Sequence, residues 1–351
     1  MVPLDPSAPV KLPDPLAELQ LLLLEGLFDE RIDSDWLSHL SQLVGMDAVV
    51  SYGESWPSSH EFIADMIVVR IEEELEKYSS HIAEAKLRAH PHIRLVLRDE
   101  GVKGELRIRK LTPIGARSED QIFTDQIPES LISTRVTVRE SGRRIVCDPN
   151  MAYFSSKLQS ERLETLELAK TLRSLIDHPI RVCDPFCGVG PALSILLSEA
   201  NLVSDVLASD LNPNAVELLF ENLRRWDRRE YPVDPVPLAR LFDDRVVGIA
   251  DASDLRHNKE IRANWDLLIV NLPHHTIKLL PSLVPLLDRT GPSLIRGRVI
   301  VAETGIEEAN KTIERAIPPL LAGSKPPSLR IKRDYSSSLR LCSFEAWISP
   351  E

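Results

Sequence analysis

Residues 180–191, Ile-Arg-Val-Cys-Asp-Pro-Phe-Cys-Gly-Val-Gly-Pro, carry the clearest chemical signal in this chain. A short apolar run ends in Asp184, passes Phe186 and a loop opened by Gly188 and Gly190, and enters a helix at Pro191. Glycine lets bare backbone approach a ligand closely at a helix start. A second apolar run, Val206-Leu-Ala-Ser, ends in Asp210, followed by Leu211-Asn212-Pro213. An acid at the tip of a second strand can accept hydrogen bonds from both ribose hydroxyls of a nucleoside cofactor. A third run ends at Asp251-Ala252, where a carboxylate can take an adenine amino group; without the two earlier acids, a helix-capping Asp reads equally well. The fourth run, Trp265 to Val270, ends in Asn271-Leu272-Pro273. An Asn amide offers an acceptor and two donors to the edge of a heterocyclic base. Pro273 stiffens the backbone, so nearby carbonyl groups can be aimed at that base.

These acids and glycines need a sheet whose strand tips converge. From residue 151 onward strands and helices alternate, which predicts an α/β, doubly wound (Rossmann-like) parallel sheet. Strands are expected at 180–184, 205–209, 245–250, 266–270 and 298–302. A leading helix presents Leu163, Leu166, Leu172, Leu175 and Ile176 as its apolar stripe, and Asn212-Pro213 is a good N-cap and first-turn pair for a later one. Asp227 to Asp244 is proline-rich and reads as an insertion, and 328–331 with 339–348 as a closing hairpin. Upstream, 57–150 reads as a small α+β domain. Its expected elements are a strand over Phe62–Ile71, a helix over Glu72–Ala89, strands at His92–Leu97 and Glu105–Leu111, and a hairpin that begins at Thr134–Arg139 and turns at Ser141-Gly142. Residues 1–56 form an N-terminal acidic region of one or two Leu-rich helices. Three units are thus expected: 1–56, 57–150 and 151–351.

At 351 residues the chain can bury a sizeable core. It has no run of eighteen apolar residues, so no membrane span is expected. Leu21–Leu24 is too short, and too preceded by acids and prolines, for a signal peptide. Four scattered cysteines suit a reducing, cytoplasmic setting, and His274-His275 lacks a partner at metal-ligand spacing, so no metal is expected. The formal charge of −11 argues against a general nucleic-acid binder, but residues 1–60 alone hold ten acids and two bases. Basic clusters at Arg135 to Arg144, Arg224 to Arg229 and Arg330 to Arg340 permit an RNA partner without requiring one.

The Asp-x-Phe-x-Gly-x-Gly-Pro form resembles S-adenosylmethionine-dependent methyltransferases. Nicotinamide-binding folds share the second-strand acid, but usually carry a third glycine where this chain has Leu193. From about residue 57 to its end the chain resembles the archaeal and eukaryotic tRNA (guanine-37-N1)-methyltransferase family. The matching residues are Gly104-Glu105-Leu106-Arg107, Arg139-Glu140-Ser141-Gly142, Phe154-Ser155-Ser156-Lys157-Leu158 with Ser160-Glu161-Arg162, the 184–191 loop, Asp210-Leu211-Asn212-Pro213, and Asn271-Leu272-Pro273. Ala192, Ser156-Lys157, Lys278 and Ser337 depart from the family pattern. The resemblance implies S-adenosyl-L-methionine as cofactor, held by Arg162, Asp184, Phe186, Gly188, Gly190, Pro191, Asp210, Leu211, Asp251, Ala252 and Asn271. It implies Glu161 as general base, Arg107 steadying the guanine, and Asn271 and Pro273 orienting it. The implied partner is the anticodon loop of tRNA, met by a monomer with no membrane association.

The chemistry independently needs such a set. Guanine N1 carries a proton, so methylation requires a base at N1 and a cation or donor at O6, where negative charge gathers. Position 37 lies in a single-stranded loop, where the Watson–Crick edge can be splayed out. A Glu at a helix start can instead simply complement the dipole, with Ser160 as cap. Two other functions stay open: the related aminocarboxypropyl transfer of wyosine synthesis, against which Asn271-Leu272-Pro273 speaks, and a catalytically silent tRNA-binding protein, against which Glu161, Asp210 and Asn271 speak.

Overall fold

A computed structural model describes residues 35–104, 106 and 108–351. Two short helices, α1 (Trp36–Val44) and α2 (Met46–Tyr52), precede a five-stranded sheet. The expected strand over Phe62–Ile71 is instead a hairpin of β1 (His60–Ile63) and β2 (Met66–Val69). Ala64 adopts φ +52° at the turn, and Asp65 anchors it by pairing with Arg94. The expected helix over Glu72–Ala89 begins as a 3-10 segment and becomes α3 only at Ser79–Ala89. It returns to β3 (Leu95–Lys103), which runs parallel to β2, and β4 (Ile108–Ser118) and β5 (Gln121–Phe123) complete the sheet. Trp36, Leu40 and Trp56 share one buried cluster with Leu75, Ile82 and Ala85, so the described part of the N-terminal region packs on α3.

The hairpin of β6 (Val136–Glu140) and β7 (Arg143–Cys147) forms as expected. Helix α4 (Gln159–Leu175) follows, but its buried face is not the expected stripe. Leu166 and Leu172 are buried together with Ala169, Thr165, Arg162 and Glu161, whereas Leu163 and Leu175 are exposed. The apolar stripe is therefore interrupted where the helix begins by two buried charges.

The second sheet has eight strands. In chain order these are β8 (Ile180–Asp184), β9 (Val203–Asp210), β10 (Ala239–Phe242), β11 (Arg245–Ile249), β12 (Leu267–Val270), β13 (Ser293–Ala302), β14 (Arg330–Asp334) and β15 (Leu339–Ile348). Their spatial order is β10-β11-β9-β8-β12-β13-β15-β14, with β8, β9, β11, β12 and β13 mutually parallel. The order reverses between β8 and β12, the switch point outside which ligands sit in such sheets. Its helices are α5 (Pro191–Leu196), α6 (Pro213–Asp227), α7 (Thr276–Leu283) and α8 (Ile306–Ala316). Alternate residues enter different cores: Cys183, Leu268 and Ile295 on one face, Val182, Leu267 and Leu294 on the other. Burial on both faces explains why these strands read as continuous apolar runs. The segment expected as an insertion joins the sheet edge through β10, which pairs antiparallel with β11, and buries Tyr231 against Phe220 and Phe242. Among the described residues no helix is long and apolar enough to cross a membrane.

Asn222 joins the hairpin to this sheet. Fully buried on α6, it accepts from the Val146 N–H at 2.7 Å and donates to the Val146 and Val189 carbonyls at 2.9 Å each. Asn222→Ala orphans three buried backbone groups, so urea unfolding of the variant is expected to show a loss of about 2–3 kcal/mol.

Candidate functional site

The strand tips meet as the acid and glycine pattern requires. Asp210 accepts from the Gly188 N–H and the Asn212 N–H, both at 2.9 Å, and so ties the tip of β9 to the loop that follows β8. Asn212 caps α6 by accepting from Asn214. Gly188 and Gly190 take φ of +54° and +84°, which L side chains rarely adopt. Their surroundings differ. Gly188 is on the wall of a cavity of about 900 Å³. A Cβ on Gly190 would lie 2.6 Å from Leu219 and 3.1 Å from Trp226, and its N–H donates to the Cys187 carbonyl. Gly190 thus lets the loop rest on α6, and its backbone is not on the cavity wall.

That cavity gathers most of the residues singled out from sequence: Arg162, Phe186, Gly188, Pro191, Asp210, Leu211, Asp251, Ala252, Asn271 and Pro273 all line it. Asp184 lines a small inner recess together with Arg162, Phe186 and Asn271. Burial pushes the Asp184 carboxyl up to about 7; Asp210 nearby adds to this, while the Phe186 N–H at 3.4 Å and the Arg298 guanidinium oppose it. Asp184 has no ion-pair partner among the described residues. Burial also raises Asp210, against the pull of its backbone N–H partners. Asp251 spends one oxygen on the backbone N–H and hydroxyl of Ser253 and is otherwise exposed.

The Asn271 amide makes no hydrogen bond within the described residues, leaving its acceptor and donors for a ligand. The neighbouring carbonyls do not share that freedom. Leu272 accepts from His275 and Thr276, and Pro273 accepts from Ile300, so these oxygens serve the fold rather than an incoming base.

Glu161 and Arg162 stand apart from expectation. Glu161 is 5% exposed and off the cavity wall. Its carboxylate lies 3.3 Å from Arg296 and Lys332 and 3.6 Å from Arg298. Arg162 is on the wall, but its guanidinium forks onto both oxygens of Glu140 and donates to the Ser155 carbonyl. Arg107 lies outside the described residues. The basic clusters are largely paired as well: Arg135 with Glu217 and Glu221, Arg229 with Asp244, Arg330 with Glu345, Arg340 with Glu303 and Asp334.

Sequence reasoning missed several wall residues. Glu61 and Arg109 face the cavity from the first sheet and pair at 2.9 Å; Lys157, Lys278, Arg333 and Tyr335 stand round its wall, as does Arg298. Only Arg298 left a usable signal, because Arg296 and Arg298 alternate inside an otherwise apolar strand.

A family profile described as "TRM5/TYW2 methyltransferase domain" matches residues 136–317, and one described as "TYW2 N-terminal domain" matches 47–115. The tRNA (guanine(37)-N(1))-methyltransferase Trm5b of Pyrococcus abyssi is 27% identical over 236 residues, 67% of this chain and 58% of that protein. The chain spans somewhat over half the length of the curated archaeal relatives it matches. Among solved structures, the complex of aTrm5 with tRNALeu superposes with a TM-score of 0.65 at 21% identity, covering 94% of this chain and 84% of that one. TYW2 of P. horikoshii in complex with MeSAdo gives 0.58 at 16%, covering 89% and 98%. The methyltransferase profile spans more than half of the chain, from the β6–β7 hairpin through α8, and encloses the acids and glycines of the cavity: the chain belongs to the TRM5/TYW2 methyltransferase family.

Proposed function

We propose that this protein methylates N1 of guanosine 37 in tRNA, with S-adenosyl-L-methionine as methyl donor. The observation that carries this reading is an Asn271 amide free of hydrogen bonds to the described residues, on the same cavity wall as Asp210 and Asp251, in a chain related to enzymes named for that reaction. The residues fit the cofactor. Asp210 keeps acceptor capacity for ribose hydroxyls beyond the Gly188 and Asn212 N–H groups, Asp251 has a free oxygen, and Asp184 is a buried carboxyl without a close ion pair. Bound there, the cofactor supplies an electrophilic methyl group on a sulfonium. Asn271 holds the edge of the target base, with Pro273 stiffening the backbone beside it. Glu161 takes the N1 proton, and its role, like that of Arg107 at O6, rests on the family resemblance. The region from 57 to 150 serves as the tRNA-binding unit and 151–351 as the cofactor-binding one. Four buried, unpaired thiols suit a cytoplasmic setting.

The TYW2 profile on 47–115 supports a second reading, transfer of the aminocarboxypropyl group of the same cofactor. Incubating tRNA with cofactor labelled either in the methyl or in the carboxyl carbon separates the two. Methyl label recovered as 1-methylguanosine at position 37 is the expected result; carboxyl label in the tRNA establishes the second reading instead.

Asp210→Ala removes the ribose acceptor and loosens the glycine loop together. Calorimetry is expected to show S-adenosylmethionine affinity falling by roughly 10- to 100-fold, as for lost hydrogen bonds to a charged group. Unchanged affinity rules out this cofactor site.

Glu161→Gln is expected to bind tRNA and cofactor nearly normally yet lose roughly 10²–10⁴-fold in the single-turnover rate. Raising the pH restores part of that rate, because solvent then deprotonates N1. A variant slowed equally at every pH has lost an anchor for three cations, not a base.

A further inference from the structure

Four cations crowd the start of α4, and three of them hydrogen-bond to carboxylates. Arg296 reaches Glu164 at 2.8 Å, Glu345 at 3.2 Å and Glu161 at 3.3 Å. Lys332 pairs with Glu161 and Glu164, and Arg162 forks onto Glu140. Arg298 makes no hydrogen bond to any described residue. Its nearest carboxylate oxygen, on Glu161, is 3.6 Å from Nε and is already shared with Arg296. The Arg298 side chain is only 9% exposed, and its Nε is buried without a partner. A guanidinium carries five donors in a fixed fork, and leaving it dry and unmatched is costly. Burial lowers its pKa to about 10, so at neutral pH it remains a cation.

Arg298 faces both the inner recess and the main cavity, and the recess also holds Asp184, a buried carboxyl that makes no close ion pair among the described residues and has Arg298 as its nearby cation. Arg298 and Asp184 feel one another's charge across the recess but make no hydrogen bond or close ion pair together, and a guanidinium and a carboxyl placed in this way suit a ligand that brings both opposite charges. A phosphate does not fit, since its dianion would sit against Asp184 and Glu161. An α-amino acid group does fit, and its planar carboxylate matches the guanidinium fork. We infer that Arg298 binds the α-carboxylate of the cofactor's aminocarboxypropyl chain, with Asp184 taking the ammonium. This rests on the cofactor reading above and adds a residue that selects for the amino-acid end of the cofactor. Arg162, although on the same wall, cannot serve as well while Glu140 occupies its fork.

The test uses calorimetry with three nucleosides on the full chain: S-adenosylhomocysteine, its decarboxylated counterpart 5′-(3-aminopropylthio)-5′-deoxyadenosine, and 5′-methylthioadenosine, which lacks the whole chain. The wild type is expected to bind S-adenosylhomocysteine roughly 10- to 100-fold tighter than the decarboxylated compound. Arg298→Met is expected to erase that preference while leaving 5′-methylthioadenosine affinity unchanged, which also shows that the cavity is intact. Arg298→Lys restores part of the preference. If none of the three binds the wild type, the cofactor reading itself fails. If all bind but removal of the carboxylate costs nothing, Arg298 does not read it. Equal loss of every ligand in a folded Arg298→Met variant makes the residue structural and overturns the proposal. Should that variant not fold, the wild-type comparison decides alone.

Discussion

The carboxylate of Asp210 is the constraint on which the rest of the site depends. It stands at the tip of β9 and holds backbone N–H groups from two different connections, Gly188 after β8 and Asn212 before α6. One oxygen shapes the glycine loop while the other fixes the start of the helix on which that loop rests. The loop then leans on Leu219 and Trp226 through Gly190, and α6 holds the β6–β7 hairpin through Asn222 and through the Trp226 indole, which donates to the Arg144 carbonyl. The small hairpin, the cofactor loop and the sheet therefore share one chain of contacts. The carboxylate that orders the loop is the one proposed to meet a ribose, so under that proposal organisation and binding rest on the same group.

A second constraint is charge balance at the start of α4. Helix α4, β13 and the β14–β15 pair bring Glu161, Glu164 and Glu345 against Arg296, Arg298 and Lys332. Buried ions are tolerated only when paired with good geometry. Here pairing is nearly complete, and the two groups that make no side-chain hydrogen bond to an opposite charge, Arg298 and Asp184, both face the recess. Structural ions were matched within the protein, and the residual ones lie where a ligand can match them. Buried polar groups left without partners commonly mark functional sites for this reason.

Much of this was legible in the chain. Strand tips ending in Asp184, Asp210, Asp251 and Asn271 converge because a parallel sheet must align its carboxyl ends, and apolar runs that enter it are readable one at a time. What was not readable depends on partners far away in sequence. Glu161 looks like an accessible base at a helix start, but it is buried against distant residues, of which Arg296 lies 135 positions away. Gly190 looks like a point of ligand approach because its pattern does not say which side its Cα faces. The β1–β2 turn hides inside a continuous apolar stretch because Ala64 and Asp65 carry no glycine or proline signal, and Arg94, just before β3, holds Asp65 in place from 29 positions away. Arg298 is the instructive case: alternating arginines within a buried strand contradict burial, and such a contradiction points to compensation by ions or by a ligand.

The same ledger of charges bears on which group leaves the cofactor. Methyl transfer leaves the aminocarboxypropyl chain in place, so contacts to its carboxylate and ammonium persist from bound cofactor to departing thioether. Aminocarboxypropyl transfer moves that chain onto the base, and anchors on its charged end must then travel with it or break. Interactions that hold a group equally before and after reaction help to position its neighbours, whereas those that must break during transfer raise the barrier. The contacts proposed for Arg298 on β13 and Asp184 on β8 suit a stationary chain, leave the free amide of Asn271 to engage what approaches from the cavity side, and so agree with the proposed methyl transfer.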